Sequence, residues 1–172
     1  MTQLAPRLYV GNLKDSVDES QLNQNKITHI VSIHDKQKTK LPGRTYLCVE
    51  ADDVDGYDIT QHFQTCCQFI HDARVEDSNN VLVHCESGVS RSVTIIIAYL
   101  LMVTEHSWTD ILTALRQVRP SATPNKGFKE QLSSFQASAL QEERSLFASK
   151  YGSNSLNDHQ HIQTLLDQYH EG

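Results

Sequence analysis

Residues 81–92 form the run Val81-Leu-Val-His-Cys-Glu-Ser-Gly-Val-Ser-Arg-Ser92, in which five residues separate Cys85 from Arg91. The apolar residues 81–83 follow a polar segment and predict a short buried strand. Residues 93–103 are apolar nearly throughout and too long for a strand, which favours a buried helix. We therefore expect residues 85–91 to turn from the end of a strand into the start of a helix.

Such a turn is suited to binding an anion. Successive backbone N–H groups point into one concavity, and the N-terminus of the following helix adds partial positive charge. Gly88 lets the backbone bend closely around the anion. A phosphate dianion is expected to accept hydrogen bonds from the amides of the loop residues, which are Glu86, Ser87, Gly88, Val89, Ser90 and Arg91.

Three side chains of this loop supply the chemistry. Arg91 presents a planar fork that can bind two phosphate oxygens at once. Cys85 lies at the floor of the cradle, and cysteines in such surroundings titrate at roughly 3.5–7.5 instead of about 8.5. An ionised Cys85 is the predicted nucleophile, and Ser92 can donate a hydrogen bond to the sulfur when it leaves. The alternative, a buried cysteine beside a surface arginine, does not explain why motif and context agree.

The loop resembles the signature of the cysteine-dependent protein tyrosine phosphatases, and it is most similar to the small, atypical dual-specificity phosphatases. The resemblance covers about residues 5–135. The other segments that carry it are Leu8-Tyr-Val-Gly-Asn12, Ile27-Thr-His-Ile30, Ala51-Asp-Asp53 and Pro124-Asn-Lys-Gly-Phe128 with Gln131-Leu132. The first segment and the Gly-Val-Ser-Arg-Ser part of the loop are similar to the JNK-stimulatory phosphatase subgroup. Ser87 replaces the alanine that is more common in the family.

The resemblance implies an α/β phosphatase fold, with a central, mostly parallel, twisted sheet of about five strands flanked by helices. The alternation of strands and helices favours the same class. Strands are predicted at 7–10, 28–33, 45–49 and 81–83, and one long helix from about 124 to 149. We assign the phosphatase domain to residues 1–149, and a linker with a short helix or tail to residues 150–172.

Displacing phosphate from an oxygen requires a proton for the leaving group, and a carboxylic acid on a loop is a suitable donor. Four carboxylates crowd the loop after the strand at 45–49, namely Asp52, Asp53, Asp55 and Asp58. Spacing alone does not choose among them. The resemblance implies that Asp53 is the general acid, with Asp52 and Asp55 as the alternatives.

Two further residues are expected to support the site. The imidazole of His84 is predicted to bind nearby backbone and so to hold the loop and Cys85 in place. The resemblance implies that Asn125 lies behind the phosphate loop and helps to hold it. An equally good interpretation is that Asn125 belongs to the capped start of a helix, next to Pro124.

Composition limits the partners and the compartment. A net charge of −6 argues against nucleic-acid binding, and no apolar run reaches the 18 residues of a membrane span. Four cysteines without paired spacing indicate a reducing compartment, so a cytoplasmic location is expected, with the nucleus as a second one. The start Met1-Thr-Gln lacks the Met-Gly signal for myristoylation. Oxidation could link Cys85 to Cys48.

Together these features predict a phosphoprotein phosphatase that hydrolyses phosphotyrosine and phosphoserine or phosphothreonine through a phosphocysteine intermediate. Neither a metal nor a cofactor is expected, because Arg91 and the loop amides supply the positive environment. Its partners are phosphorylated proteins, and the resemblance implies MAP-kinase pathway components among them. The alternatives are a scaffold that binds phosphoproteins without turnover, and an RNA or lipid phosphatase, which the charge and the absence of lysine in the loop disfavour.

Overall fold

The computed structural model describes residues 1–34, 36, 40–152 and 156–171. The strands in this part of the chain are β1 (Thr2–Ala5), β2 (Leu8–Gly11), β3 (Ile27–His34), β4 (Thr45–Glu50) and β5 (Asn80–His84). The helices are α1 (Leu13–Val17), α2 (Glu19–Gln24), α3 (Phe63–Arg74), α4 (Arg91–Val103), α5 (Trp108–Val118), α6 (Lys126–Ser138), α7 (Leu140–Tyr151) and α8 (Asp158–Glu171). A turn of 3₁₀-helix (Thr60–His62) leads into α3.

The five strands form one sheet in the order β1-β2-β5-β3-β4. Strands β2, β5, β3 and β4 run parallel, and only β1 pairs antiparallel with its neighbour. The predicted α/β class with a mostly parallel sheet is therefore confirmed. Strand β1 was not among the predicted strands, because the polar Thr2 and Gln3 leave only Leu4 and Ala5 as apolar residues before Pro6. Its pairing with β2 buries Leu4 and Ala5.

Strand β5 and helix α4 form the centre of the molecule. Val81, Leu82 and Val83 are fully buried, since β5 has a strand on each side and helices cover the sheet. Every residue of α4 from Arg91 to Met102 is buried too, and the nearly apolar run 93–103 predicted such a buried helix. The loop between β5 and α4 thus lies at the carboxyl ends of the parallel strands, where open α/β sheets bind ligands.

The predicted long helix is wrong in one respect. It is divided at Ala139, whose N–H closes α6 on the carbonyl of Phe135, and α7 begins at Leu140. Leu140 is only 3% exposed, so α7 begins with a residue that is buried in the core. No proline or glycine marks the break in the sequence. The predicted domain boundary at residue 149 falls inside α7.

Helix α8 packs on α5 and β1. Its first residue, Asp158, is fully buried and accepts two hydrogen bonds of 2.9 Å from the guanidinium of Arg74. Residues 153–155 of the predicted linker lie outside the described residues, and the division at residue 149 stays a prediction. Of the helices in the described part of the chain, none combines the length and apolar character that crossing a bilayer requires.

Candidate active site

The sulfur of Cys85 lies at the end of β5, where the residue is 1% exposed. The N–H of Gly88 donates a hydrogen bond of 3.2 Å to Sγ, and the hydroxyl oxygen of Ser92 is also 3.2 Å from it. The Gly88 N–H and the Ser92 hydroxyl are both placed to donate to a negatively charged sulfur. The hydroxyl of Ser92 thus lies within hydrogen-bonding distance of the Cys85 sulfur, as predicted.

The peptide groups of the loop between β5 and α4 are held from outside. Three of its carbonyl groups accept hydrogen bonds from donors elsewhere in the chain. The pairs are Leu13 N–H to Glu86 O at 3.0 Å, Arg119 Nε–H to Gly88 O at 2.9 Å and Thr123 N–H to Val89 O at 2.9 Å. In a trans peptide the N–H points away from the C=O. Holding these carbonyls outward therefore directs the following N–H groups, those of residues 87, 89 and 90, towards the inside of the loop.

Arg91 begins α4 and is 6% exposed. Its Nη1 donates a hydrogen bond of 2.9 Å to the carbonyl oxygen of Ala51, the first residue of the loop that carries the candidate acids. The phosphate loop and the acid loop are thus joined by the arginine that was predicted to bind phosphate. Ser90 accepts a further bond, from the N–H of Asn125 to its Oγ at 2.9 Å.

Asp58 and Asp55, two of the four candidate carboxylates, accept hydrogen bonds from backbone N–H groups. Oδ1 of Asp58 accepts the N–H of Thr60 at 3.1 Å, which closes a local turn before α3. Oδ1 of Asp55 accepts the N–H of Gly127 at 3.2 Å, at the start of α6. Asp55 therefore joins the acid loop to α6, and Asp58 stabilises the turn that leads into α3.

Asp52 and Asp53 are exposed, as Asp55 and Asp58 are. Oδ1 of Asp53 accepts a hydrogen bond of 2.9 Å from Nδ2 of Asn125, the residue whose N–H binds the phosphate loop through Ser90. The structure therefore connects Asp53 to the loop by a single intervening residue. Asn125 also caps α6, because its Oδ1 accepts the N–H of Phe128 at 2.8 Å.

The start of α6 fixes the acid loop. A side chain at Gly127 would overlap the backbone carbonyl of Asp55, so this close approach requires glycine. One turn later along α6, the side chain of Gln131 binds the end of the same loop. Its Oε1 accepts the N–H of Ile59 at 2.9 Å, and its Nε2 donates to the carbonyl of Tyr57 at 2.7 Å. Both residues belong to the segment that carried the family resemblance, and these contacts give its physical reason.

His84 lies behind the loop, and its Nδ1 is 3.2 Å from the carbonyl oxygen of Cys85. Burial, with a smaller contribution from His34, lowers the pKa of His84 to about 4. The ring is therefore neutral at neutral pH, and Nδ1 carries the proton because a carbonyl can only accept. The His34 ring lies 5.2 Å from that of His84, and its Nδ1 is 3.5 Å from a carboxylate oxygen of Glu86.

Several residues of this site were not found from the sequence. Four residues from distant parts of the chain contact the loop or His84, namely Leu13, His34, Arg119 and Thr123. Two of them, Leu13 and Thr123, contribute only a backbone N–H, for which no side-chain signal exists. Arg119 follows α5, and His34 is the last residue of β3. At such positions the sequence alone indicates only the boundary of an element.

The predicted disulfide between Cys48 and Cys85 does not fit this geometry. Cys48 pairs with Ser32 across β4 and β3, and Ser32 pairs with His84 across β3 and β5. Two strand spacings therefore separate Cys48 from the residue next to Cys85, or about 10 Å. A disulfide requires Cα atoms within about 7 Å.

Within the described ranges, no group of three or more histidine, cysteine or acidic residues is placed to hold a metal ion.

The fold and the loop define a class of protein, and a comparison with protein families names it. The profile described as "Dual specificity phosphatase, catalytic domain" matches residues 8–138. The chain belongs to this family, so it is a protein-tyrosine/dual-specificity phosphatase, a hydrolase of phosphoproteins. Reaction through a phosphocysteine intermediate is general in the family.

Individual relatives agree with this assignment. Mouse "Dual specificity protein phosphatase 22" is 42% identical over 166 residues, which cover 96% of this chain and 90% of the relative. Mouse "Dual specificity protein phosphatase 15" is 41% identical over 166 residues, covering 96% of this chain and 70% of that protein. The motifs predicted a similarity to the JNK-stimulatory subgroup and to the atypical phosphatases. These two relatives confirm it.

Solved structures match as well. The crystal structure of DUSP15 superimposes with a TM-score of 0.85 at 42% identity and covers 90% of this chain and 98% of its own. The crystal structure of human DUSP28 gives a TM-score of 0.77 at 28% identity and covers 83% of this chain and 99% of its own. The phosphatase fold expected from the sequence is therefore confirmed.

Proposed function

We propose that Cys85, Arg91, Asp53 and Ser92 carry out the phosphatase reaction, and that its substrates are phosphotyrosine and phosphoserine or phosphothreonine in signalling proteins. The observation that carries this proposal is the position of the Cys85 sulfur, which is surrounded by the N–H of Gly88 and the hydroxyl of Ser92 at the floor of the loop. A sulfur held in this way faces whatever anion the inward N–H groups bind.

In the first step, the thiolate of Cys85 attacks phosphorus in line with the leaving oxygen. The S–P bond forms while the P–O bond breaks, and Asp53 transfers its proton to the departing oxygen. The equatorial oxygens are bound by the guanidinium of Arg91 and by the backbone amides of residues 86–91. These donors are already oriented before the reaction, so they stabilise the charge of the transition state without reorganisation.

In the second step, the phosphocysteine is hydrolysed. Asp53, now ionised, accepts a proton from a water molecule whose oxygen attacks phosphorus. The S–P bond breaks, phosphate leaves, and the electron pair returns to the sulfur of Cys85. The hydroxyl of Ser92 stabilises the returning negative charge, because its oxygen lies within hydrogen-bonding distance of Sγ. His84 and Asn125 support the site by holding the backbone around Cys85 and the carboxylate of Asp53.

For the partners, we propose phosphorylated components of MAP-kinase pathways, in the cytoplasm and in the nucleus. The support is the similarity to the JNK-stimulatory subgroup and the absence of lysine from the loop, whose variable positions are Glu86, Ser87, Val89 and Ser90. A loop without lysine, in a chain of net charge −6, favours phosphoproteins over highly anionic lipid headgroups.

The test is turnover of p-nitrophenyl phosphate by the wild type and by Cys85→Ser, followed by a panel of phosphopeptides and phosphoinositides. We expect turnover by the wild type only, trapping of a phosphoenzyme on Cys85, and hydrolysis of phosphopeptides in preference to lipids. Tight binding of phosphopeptides by a wild type that does not turn them over would identify a scaffold. Preferred hydrolysis of phosphoinositides would identify a lipid phosphatase.

A further inference from the structure

We infer that Arg119 is a positioning residue for the phosphate loop: it fixes the peptide group between Gly88 and Val89 so that the Val89 N–H faces the bound phosphoryl group. The inference rests on the proposed function of that loop. Arg119 caps the C-terminus of α5, and its side chain is half-buried between the loop and strand β1.

Two contacts define the position of the guanidinium. Nε donates a hydrogen bond of 2.9 Å to the carbonyl oxygen of Gly88, and Nη1 donates one of 2.8 Å to Oγ1 of Thr2 in β1. The planar fork thus joins β1 to the loop across the end of α5. A lysine has a methylene carbon at the position of Nε, so it lacks a donor at the place from which Arg119 binds Gly88.

Gly88 is the residue that most needs an external support. Its φ of 67° lies in the left-handed region, and a Cβ atom there would lie 2.6 Å from the carbonyl oxygen of Gly11 and 2.5 Å from Nη2 of Arg119. The glycine fits this position but has more conformational freedom than any other residue. Arg119 therefore packs against the most flexible residue of the loop and binds its carbonyl.

The consequence for phosphate binding follows from peptide geometry. The Gly88 carbonyl points outward to Arg119, so the N–H of Val89, on the opposite side of the same planar group, points inward. The N–H of Gly88 itself donates to the sulfur of Cys85. Arg119 therefore orients the N–H of Val89, which binds the transferred phosphoryl group. It also holds Gly88 in place, and the N–H of Gly88 binds the sulfur of Cys85.

Among the three outside donors to the loop carbonyls, Arg119 alone acts through its side chain, since Leu13 and Thr123 use their backbone N–H groups. It is therefore the donor that a substitution can remove. Arg144 provides a matched control: it is also a half-buried arginine that donates to two backbone carbonyls, those of Leu101 and Thr104, away from the loop.

The experiment compares R119M, R119K, T2V and R144M by turnover of p-nitrophenyl phosphate, by inhibition with vanadate, and by thermal unfolding. Because a misdirected amide no longer stabilises the transition state, we expect kcat/KM and the affinity for vanadate to fall about tenfold in R119M. R119K is expected to lose at least threefold in both. T2V, which leaves the Gly88 bond intact, and R144M are expected to stay within twofold of the wild type.

A loss in R119M no larger than that in R144M would overturn the inference, and so would a T2V variant as impaired as R119M. If R119M does not fold, R119K decides: wild-type values for kcat/KM and vanadate affinity in R119K would overturn the inference. The proposed function fails separately, through turnover by Cys85→Ser. An inactive Cys85→Ser together with an unaffected R119M would leave the proposed function intact and remove only the role of Arg119.

Discussion

Asn125 binds the carboxylate of Asp53 and the first turn of α6 with one side chain. Its Nδ2 donates to Oδ1 of Asp53 at 2.9 Å, and its Oδ1 accepts the N–H of Phe128 at 2.8 Å. Its backbone N–H adds a bond of 2.9 Å to Oγ of Ser90 in the phosphate loop. The two interpretations of Asn125 drawn from the sequence, a helix cap and a support behind the loop, therefore describe contacts that occur together.

The substitution Asn125→Asp should separate the two contacts. Aspartate keeps an oxygen that caps α6, so stability should change little, but it removes the donor to Asp53 and places a second carboxylate beside it. We expect kcat for phenyl phosphate to fall about tenfold. Asn125→Ala, measured in parallel by urea denaturation, should in addition lose about 1 kcal/mol of stability with the cap. Equal turnover in Asn125→Asp and wild type would show that the contact does not orient the acid.

Asp53→Asn tests the general acid directly. We expect kcat for phenyl phosphate, a poor leaving group, to fall about 100-fold, because no proton reaches the departing oxygen. The loss should be much smaller for p-nitrophenyl phosphate, whose leaving group needs less protonation. Asp52→Asn is the matched control, since Asp52 is the exposed neighbour that the sequence left as an alternative. A large loss in Asp52→Asn with a normal Asp53→Asn would assign the acid to Asp52.

Gly88→Ala should disrupt the phosphate loop. Its φ of 67° and the 2.6 Å approach of a Cβ atom to the Gly11 carbonyl leave no room for a methyl group. We expect turnover to fall more than about 100-fold, as it does when a donor to the transition state is lost. Gly56→Ala is the control, because a Cβ atom added there would meet nothing within 4 Å and its φ is not positive. A fully active Gly88→Ala would contradict the loop conformation described above.

Asp158→Ala should destabilise the whole domain. The substitution leaves Arg74 fully buried without its carboxylate partner, and breaking a buried pair in this way costs about 3–5 kcal/mol. The double variant Arg74→Met with Asp158→Leu should recover much of the loss, since it removes both charges. Urea denaturation measures each effect. A loss below about 1 kcal/mol in Asp158→Ala would mean that α8 contributes little to the stability of the domain.

Stability should fall as the pH is lowered from about 6.5 to about 4. Burial lowers the pKa of His84 to about 4 in the folded protein, while an unfolded histidine titrates near 6.5. Between these values the unfolded state binds more protons, so unfolding becomes easier by about 1 kcal/mol per pH unit from this residue. His71, whose pKa burial also lowers to about 4, acts in the same window.

The measurement is urea denaturation between pH 4 and pH 7. His84→Gln keeps a neutral donor near the Cys85 carbonyl but cannot bind a proton, so the slope should become smaller. His170→Gln, at an exposed position, should leave the slope as it is in the wild type. An unchanged slope in His84→Gln would mean that His84 does not stay neutral through burial.

Much of the fold was accessible from local pattern. The apolar run before Cys85 and the longer one after Arg91 predicted β5 and α4, because uniformly apolar segments of those lengths have to be buried. Strand β1 and the break at Ala139 were missed. Strand β1 depends on its pairing with β2, and no proline or glycine marks the break at Ala139, so local pattern indicated neither.

The sequence by itself determined the class of protein, because an apolar strand, the loop from Cys85 to Arg91 and an apolar helix follow one another directly along the chain. Only the tertiary structure joined Asp53 to the loop through Asn125 and brought Arg119 to the Gly88 carbonyl. These contacts join residues that lie far apart along the chain. Their partners are fixed by how the helices pack on the sheet, which no local pattern encodes.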